Sequence, residues 1–142
     1  MLKFLNQKKL LPQYNRAKIV MSILGVILAG GQARRMDGID KCRLKIGDNT
    51  ILDIVVNCLS LQLETIVLNA NGDPERFSDL EIDVISDTIQ GYAGPLAGIL
   101  SGMRFAEKNG FTSILTVASD TPFFPLNLLT KLLDEGSKEN SL

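Results

Sequence analysis

Short, mostly apolar runs alternate along this chain with segments in which apolar residues recur every three or four positions. The runs predict buried strands, and the longer spacing predicts amphipathic helices. The predicted strands are Ile23–Leu28, Thr65–Ala70, Ile82–Ser86 and Ser113–Ala118. Because a helical pattern follows each strand, we expect a mostly parallel sheet with helices on both faces, a three-layer α/β fold.

Three of the expected helices carry recognisable start or stop signals. Thr50 and Asp53 have the spacing of a capping box at the start of the first helix. Gly110 is expected to end the second, and Pro125 suits the first turn of the third. The residues expected to face the core are Ile51, Ile54, Val55, Cys58 and Leu59 in the first helix, Leu96, Ile99, Leu100, Met103 and Ala106 in the second, and Leu126, Leu129 and Leu133 in the third.

Two further local patterns add detail to this outline. Residues 42–46 are expected to form a short extended piece, and residues 47–49 a turn. Gly94, Gly98 and Gly102 recur every four residues along the second helix. Glycine costs a helix about 1 kcal/mol against alanine, so three in register predict close packing of the backbone against the sheet or a ligand.

Charge is distributed unevenly along the chain. Residues 1–20 hold five lysines and arginines and no acid, whereas residues 21–142 hold ten basic and sixteen acidic residues. We interpret 1–20 as a bland basic extension, with a polyanion-binding arm or a targeting peptide as alternatives, and 21–142 as the folded domain. The overall net charge of -1 gives no general attraction to nucleic acid or to an anionic membrane.

The residue types that are absent restrict the chemistry further. Histidine is missing, which excludes serine–histidine and cysteine–histidine catalysis by this chain alone and any imidazole zinc site. Cys42 and Cys58 have neither metal-ligand spacing nor the density of a disulfide scaffold, and we interpret both as structural in a reducing, cytoplasmic setting. No apolar run approaches the roughly 20 residues that a membrane-spanning helix needs. Carboxylate, lysine and arginine chemistry remains, which suits Mg²⁺ and phosphate.

Polar and charged residues follow each predicted strand at its carboxyl end. In a parallel sheet these ends share one edge, where ligands bind. Paired glycines, together with arginines and a lysine nearby, predict a phosphate cradle after the first strand. The site residues are Gly30, Gly31, Arg34, Arg35 and Lys41 after the first strand, Asn69 and Asn71 after the second, Asp87 after the third and Asp120 after the fourth.

Each of these residues also has a simpler interpretation. Paired glycines can form only a tight turn, and Asn69 or Asn71 alone is a common turn residue. The cations Arg34, Arg35 and Lys41 can form a solvated face, and Asp87 and Asp120 can each cap a helix. Neither of the familiar nucleotide loops fits, because the spacing of a P-loop and the GxGxxG of dinucleotide-binding folds are both absent. The prediction of a ligand site therefore rests on the convergence of these residues at four strand ends and not on any one motif.

The motifs at these strand ends resemble those of the molybdenum cofactor guanylyltransferases, a family of nucleotidyltransferases with a Rossmann-like sugar-nucleotide transferase fold. The resemblance rests on LAGGQARRMDGIDK at 28–41, LNAN at 68–71, SDT at 86–88, GPLAG at 94–98 and SDTPFFP at 119–125. It implies transfer of GMP from GTP to molybdopterin with release of pyrophosphate. By the same resemblance, Leu28, Ala29, Gly30, Gly31, Lys41, Asn69, Asp87 and Asp120 would bind the nucleotide, Arg35, Lys41 and Asp120 would be catalytic, and Asp120 would hold Mg²⁺.

The sequence departs from the family pattern in two ways. Asp37 stands where the family usually has glycine, which places a carboxylate close to the expected phosphates. Family members also continue well beyond the position of Leu142, so the chain resembles only the four-stranded N-terminal, nucleotide-binding part. With the family's strand order of 3-2-1-4, the fourth strand would have a free edge, and we expect self-association there, as a homodimer.

Two other functions are kept as alternatives. One is a related nucleotidyltransferase that uses CTP with molybdopterin or acts on a sugar phosphate or a cobalamin precursor. Sugar-phosphate enzymes usually carry Pro-Lys where this chain has Asp40-Lys41. The other is a non-catalytic nucleotide-binding or partner-binding module, suggested by Asp37 and the short C-terminal side.

Overall fold

The computed structural model describes residues 21–29, 40–89, 91 and 94–139 of the chain, with the predicted extension at 1–20 outside this part. The strands are β1 (Ile23–Leu28), β2 (Lys45–Ile46), β3 (Asn49–Thr50), β4 (Ile66–Asn69), β5 (Asp83–Ile85) and β6 (Ser113–Ala118). The helices are α1 (Ile51–Ser60), α2 (Pro95–Lys108) and α3 (Leu128–Glu139), with 3-10 helices at Lys41–Arg43 and Pro74–Phe77.

The main sheet has the order β5-β4-β1-β6, with every neighbouring pair parallel. This is the predicted 3-2-1-4 order, so the predicted α/β fold and its sheet are confirmed. β1 lies in the interior of the sheet, where Leu24, Val26 and Ile27 are completely buried. β6 pairs with β1 along its whole length, and no second partner for it occurs among the described strands.

Alternate residues of β1 supply the two hydrophobic layers of the fold. Leu24 and Val26 pack in one cluster with Ala106 of α2. Ile27 packs on the opposite face with residues of α1, and Leu128 and Leu129 of α3 pack against that second cluster. The period-two alternation of a strand thus places α2 on one face and α1 with α3 on the other, giving the expected three layers.

The start of α1 is fixed by the predicted capping box. The Asp53 amide donates to Thr50 Oγ1 at 3.1 Å, and the Thr50 amide donates to Asp53 Oδ2 at 2.8 Å. The predicted core face of this helix is only partly right. Val55 and Leu59 are buried as expected, but the third buried position is Leu52, while Ile51, Ile54 and Cys58 are half-buried.

The face that α2 buries differs from the prediction. Leu96 is 73% exposed and Met103 is 54% exposed, so the predicted stripe of large residues was wrong at these positions. The buried residues are instead small: Ala97, Gly98, Ser101, Gly102 and Ala106. Small side chains let the helix backbone approach the sheet closely, and at Gly98 and Gly102 this confirms the packing inferred from the glycine spacing. Gly94 precedes the helix with nothing within 4 Å of an added Cβ.

The last helix begins at Leu128, three residues later than predicted. Leu129 packs against the core as expected, but Leu126 is 63% exposed and Leu133 is 37% exposed. Gln62 supplies the missing start signal, because its side-chain oxygen accepts from the Leu129 amide at 3.0 Å and its amide donates to the Pro125 carbonyl at 3.2 Å. A residue that follows α1 therefore caps the start of α3.

The strand predicted within residues 42–46 is shorter than expected. Residues 41–43 form a 3-10 turn, and the strand covers Lys45–Ile46, which pairs with Asn49–Thr50 in a small hairpin. Gly47 at the hairpin turn has a φ of 65°, in the left-handed region that favours glycine. In the described part of the chain, no helix has the length and apolarity to cross a membrane.

Candidate functional site

The carboxyl edge of the sheet brings together residues from four strand ends. Leu28 at the end of β1 is in register with Asn69 of β4 and with Ala118 of β6. Pairing continues one residue further, since the Ala29 amide donates to the Asn69 carbonyl at 2.8 Å and the Ser119 amide donates to the Leu28 carbonyl at 3.1 Å. Ala29 and Ser119, the residues that follow β1 and β6, therefore leave the sheet at the same level.

Asp87, which follows β5, is held at this edge by several hydrogen bonds. Its Oδ1 accepts from Asn69 Nδ2 at 3.0 Å, and its Oδ2 accepts from Asn71 Nδ2 at 2.7 Å. The Asp87 amide in turn donates to Asn71 Oδ1 at 2.9 Å. Two amide groups from the end of β4 thus fix both oxygens of a half-buried carboxylate that follows β5, and the three residues selected from the sequence form one network.

Asn69 is the buried member of this network, only 1% exposed. Its Oδ1 is buried and, within the described residues, has no hydrogen-bond partner. This oxygen faces Gly98 of α2, where an added Cβ would overlap it. The side chain therefore lies behind Asp87, wedged between the sheet and α2.

The loop that carries Asp87 is also attached to α2. The Thr88 amide donates to Ser101 Oγ at 2.9 Å, and Arg104 Nη1 donates to Thr88 Oγ1 at 2.8 Å. Ser101 itself is 2% exposed and donates to the Ala97 carbonyl. A hydroxyl buried between helix and loop needs such partners, and here they fix the loop after β5.

Lys41 opens the 3-10 turn after the glycine loop and is exposed. The neighbouring Cys42 is buried, 2% exposed, and its thiol donates to Asp40 Oδ1 at 3.3 Å. Burial, with the hydrogen bond to Asp40, raises the pKa of the Cys42 thiol to about 12. Cys42 therefore anchors the turn and is not a nucleophile. This agrees with the structural role predicted for it from the sequence.

Arg43, the last residue of this turn, contacts the segment after β4. Its Nη1 and Nη2 donate to Asp79 Oδ2 and Oδ1 at 2.6 and 2.7 Å, a bidentate pair. This hydrogen-bonded contact lowers the pKa of Asp79 and raises that of Arg43. Phe77 lies beside the pair, and the guanidinium carbons of Arg43 and Arg76 are each 5.0 Å from its ring centroid.

Asp120 follows β6 and is exposed at the same edge. Its Oδ1 accepts from Thr121 Oγ1 at 3.4 Å. Among the described residues no group of three or more carboxylates, cysteines or histidines could enclose a metal ion. A single exposed carboxylate suits Mg²⁺ that takes its other ligands from phosphates and water.

The structure does not describe every predicted site residue. Gly30, Gly31, Arg34, Arg35 and Asp37 lie outside the described residues, so their part in the site stays a prediction. Leu28, Ala29, Asn69, Asp87 and Asp120 all lie at the carboxyl ends of the parallel strands.

Sequence reasoning missed two sets of contacts around this edge. Ser101 and Arg104 anchor the Asp87 loop from α2, and Arg43 reaches Asp79 across 36 positions. The only local signal was the single serine at 101 among the small residues of α2. Nothing in the spacing of Arg43 and Asp79 indicates that they pair.

Comparisons with known proteins agree with this architecture. The family model described as "MobA-like NTP transferase domain" matches residues 25–141. The chain is 48% identical over 111 residues to a protein of Mesorhizobium japonicum named molybdenum cofactor guanylyltransferase, covering 78% of this chain and 53% of that one. The chain spans about half the length of the curated relatives it matches.

Two solved structures extend the comparison to three dimensions. Molybdopterin-guanine dinucleotide biosynthesis protein A from Archaeoglobus fulgidus matches with a TM-score of 0.62 at 27% identity, over 82% of this chain and 56% of that one. Rv0371c from Mycobacterium tuberculosis H37Rv, solved as a complex with manganese, matches with a TM-score of 0.55 at 22% identity, over 82% and 60% of the two chains.

Proposed function

The chain belongs to the MobA-like NTP transferase family, and we propose on that premise that its strand-end site binds GTP for transfer of GMP to molybdopterin. The curated relatives at 40–48% identity carry the name molybdenum cofactor guanylyltransferase. In this reaction the terminal phosphate of molybdopterin is joined to GMP, and pyrophosphate is released.

The observation that carries the proposal is the fixed carboxylate of Asp87. Asn69 and Asn71 donate to its two oxygens, at 3.0 and 2.7 Å. A carboxylate held this way remains an acceptor and can take hydrogen bonds from hydroxyl or amino groups of a nucleoside. Asp87 would contact the nucleotide at this end of the site, with Leu28 and Ala29 at the adjacent end of β1. The buried Asn69 would act through Asp87, by holding its carboxylate in place.

Phosphate binding would fall to the segment after β1. The amides of Gly30 and Gly31 would line the phosphates, and Arg35 with Lys41 would neutralise their charge. Lys41 is supported in this role by its exposure and by the buried Cys42 that anchors its turn.

The donor set of this chain fits Mg²⁺ at Asp120. A carboxylate oxygen is a hard ligand, and Mg²⁺ usually takes only one or two from the protein while phosphates and water complete its shell. When bound, the ion would neutralise negative charge on the phosphates during transfer. Asp120 would hold it at the edge where the phosphates of GTP are proposed to lie.

The bond changes need no general base from the protein. An oxygen of the terminal phosphate of molybdopterin attacks the α-phosphorus of GTP, and the bond from that phosphorus to the bridging oxygen of the β-phosphate breaks. The electron pair leaves with pyrophosphate. Because the attacking phosphate is already ionised, the protein has only to position the two phosphates and stabilise the charge that develops. A chain without histidine can do this.

Self-association is part of this proposal. β6 has a partner on one side only among the described strands, and Phe123 and Leu126 after it are 80% and 63% exposed. A free strand edge beside exposed apolar residues favours pairing with a second copy of the chain. Light scattering at high concentration is expected to give a dimer, and a monomer would contradict this.

We place the protein in the cytoplasm, where reduced cysteines are the rule.

Pyrophosphate release tests the reaction directly. The chain is mixed with molybdopterin, Mg²⁺ and either GTP or CTP, and pyrophosphate is measured over time. The proposal predicts release with GTP that exceeds release with CTP and that falls in Asp120→Ala. Faster release with CTP would favour a cytidylyltransferase, and GTP binding without release would favour a non-catalytic nucleotide-binding module.

A further inference from the structure

Arg43 and Asp79 join the turn that carries Lys41 to the segment that follows β4. Two hydrogen bonds of 2.6 and 2.7 Å join them, and Arg43 Nη2 also donates to the Arg76 carbonyl at 2.5 Å. The side chains are 24% and 59% exposed. Exposed ion pairs contribute little to stability, so the paired geometry is more informative than its energy.

Phe77 provides the surface on which this link is built. It is 2% exposed and belongs to the same core cluster as Cys42. The guanidinium groups of Arg43 and Arg76 both lie against its ring. Planar guanidinium groups stack on aromatic rings in a defined orientation, which a lysine cannot reproduce.

Arg76 extends the link towards the nucleoside end of the site. Its Nη2 donates to the Asn71 carbonyl at 3.2 Å, and its Nη1 lies 3.9 Å from Asp40 Oδ2. Asn71 in turn holds Asp87. A continuous series of contacts therefore runs from Asp87 through Asn71 and Arg76 to the turn that carries Lys41.

We propose that Arg43 and Arg76 are positioning residues, which hold Lys41 at a fixed place relative to Asp87 so that one nucleotide can contact both. The proposal rests on the function proposed above. Neither arginine is assigned a contact with the nucleotide. Their effect is expected on the phosphates that reach Lys41, and not on the nucleoside that reaches Asp87.

A comparison of GTP with GMP separates these two effects. Arg43→Lys keeps the charge but loses the bidentate and stacked geometry, and we expect it to lower the ratio of GTP to GMP affinity by about fivefold, within the range of coupled neighbours. Asp79→Asn, which leaves Arg43 in place, is expected to lower the ratio in the same direction. In a Lys41→Ala background, Arg43→Lys should change the ratio no further.

Control variants and stability measurements distinguish a general loss of folded structure from a loss of the position of Lys41. Lys108→Ala and Asp48→Asn change exposed charges and should leave the ratio unchanged. Melting temperatures are measured for every variant, and Asp79→Asn serves as the test if Arg43→Lys does not fold. Equal loss of GTP and GMP affinity, or an undiminished Arg43→Lys effect in the Lys41→Ala background, would overturn the positioning proposal alone. Absence of GTP binding by the wild type would overturn the proposed function with it.

Discussion

Gly98 of α2 packs directly against the side-chain carbonyl of Asn69, so closely that a Cβ at position 98 would overlap Oδ1. The opposite side of the same amide donates to Asp87. One glycine in a helix thus determines whether Asn69 can reach the carboxylate that the proposed nucleotide site depends on.

Gly98→Ala is therefore expected to affect both stability and binding. Overpacking costs about 1–3 kcal/mol, which urea unfolding would detect. Displacing Asn69 from Asp87 should weaken GTP binding by about tenfold, equivalent to about 1.4 kcal/mol. An unchanged GTP affinity would show that the Asn69–Asp87 contact is not needed for binding.

Gly102→Ala provides the matched comparison one turn further along α2. Here an added Cβ would lie 2.9 Å from Val26 Cγ2, against a core side chain and not against the network around Asp87. We expect a loss of about 1–3 kcal/mol in the free energy of unfolding, with GTP affinity unchanged under conditions where the variant is folded. A large loss of affinity would mean that the whole position of α2 controls the site.

Gly136→Ala measures the free energy that a glycine costs a helix of this protein when an added methyl group meets no other atom. Gly136 is exposed in α3, with nothing within 4 Å of an added Cβ. Without a clash, alanine should raise the free energy of unfolding by about 1 kcal/mol. A decrease would indicate that α3 does not form as described.

These glycines also show what the sequence could and could not predict. The apolar run that forms β1 and the capping box at Thr50 are local patterns, and both were predicted correctly. The buried face of α2 was not, because the size of Leu96 and Met103 suggested burial while the close approach of helix and sheet selected the small residues. The candidate site residues could be grouped from the sequence because parallel strands end at one edge, whatever their separation in sequence.

No comparable rule predicts contacts between charged residues that are distant in sequence. Arg43 and Asp79 lie 36 positions apart, one at the end of a 3-10 turn and the other just after a second one. Their pairing depends on how the two 3-10 turns meet at Phe77, which is a consequence of core packing. Sequence patterns predicted the elements and the shared edge, but not the contacts that hold the loops in place.

The Arg43–Asp79 pair predicts a dependence of stability on acid. The hydrogen bond from Arg43 lowers the pKa of Asp79 below its ordinary value of 3.8. The folded state therefore gains stability from this group above about pH 4, and loses it as the pH falls through the lowered pKa. Because Asp79 is mostly exposed, the gain is small, about 0.2–1 kcal/mol.

Thermal melts of wild type and Asp79→Asn across this range provide the measurement. The wild type should melt higher than the variant near neutral pH, and the difference should shrink below about pH 4. Asp48→Asn, in the exposed β2–β3 turn, is the control and should show no such trend. A difference that stays constant into acid would exclude an ionised Asp79 as its source.

The raised pKa of Cys42 predicts that the folded state loses stability in base. Its ordinary pKa of 9.0 is raised to about 12, first by burial and then by the hydrogen bond to Asp40. Its stabilising effect is therefore complete below about pH 9 and is lost as the pH rises towards 12, where the unfolded chain is ionised and the folded one is not.

Alkylation tests the same burial directly. In a Cys58→Ser variant at about pH 8, Cys42 should react with iodoacetamide far more slowly in the folded protein than in urea. In Cys42→Ser, the half-buried Cys58 serves as the comparison. Equal rates for Cys42 in folded and unfolded protein would contradict its role as an anchor of the Lys41 turn.

Whether this edge of the sheet binds GTP together with Mg²⁺ can be measured by calorimetric titration of the wild type and Asp120→Ala with GTP, with and without Mg²⁺. We predict that the wild type binds GTP and that Mg²⁺ strengthens binding only when Asp120 is present. No binding by the wild type, or the same gain from Mg²⁺ in Asp120→Ala, would contradict the account.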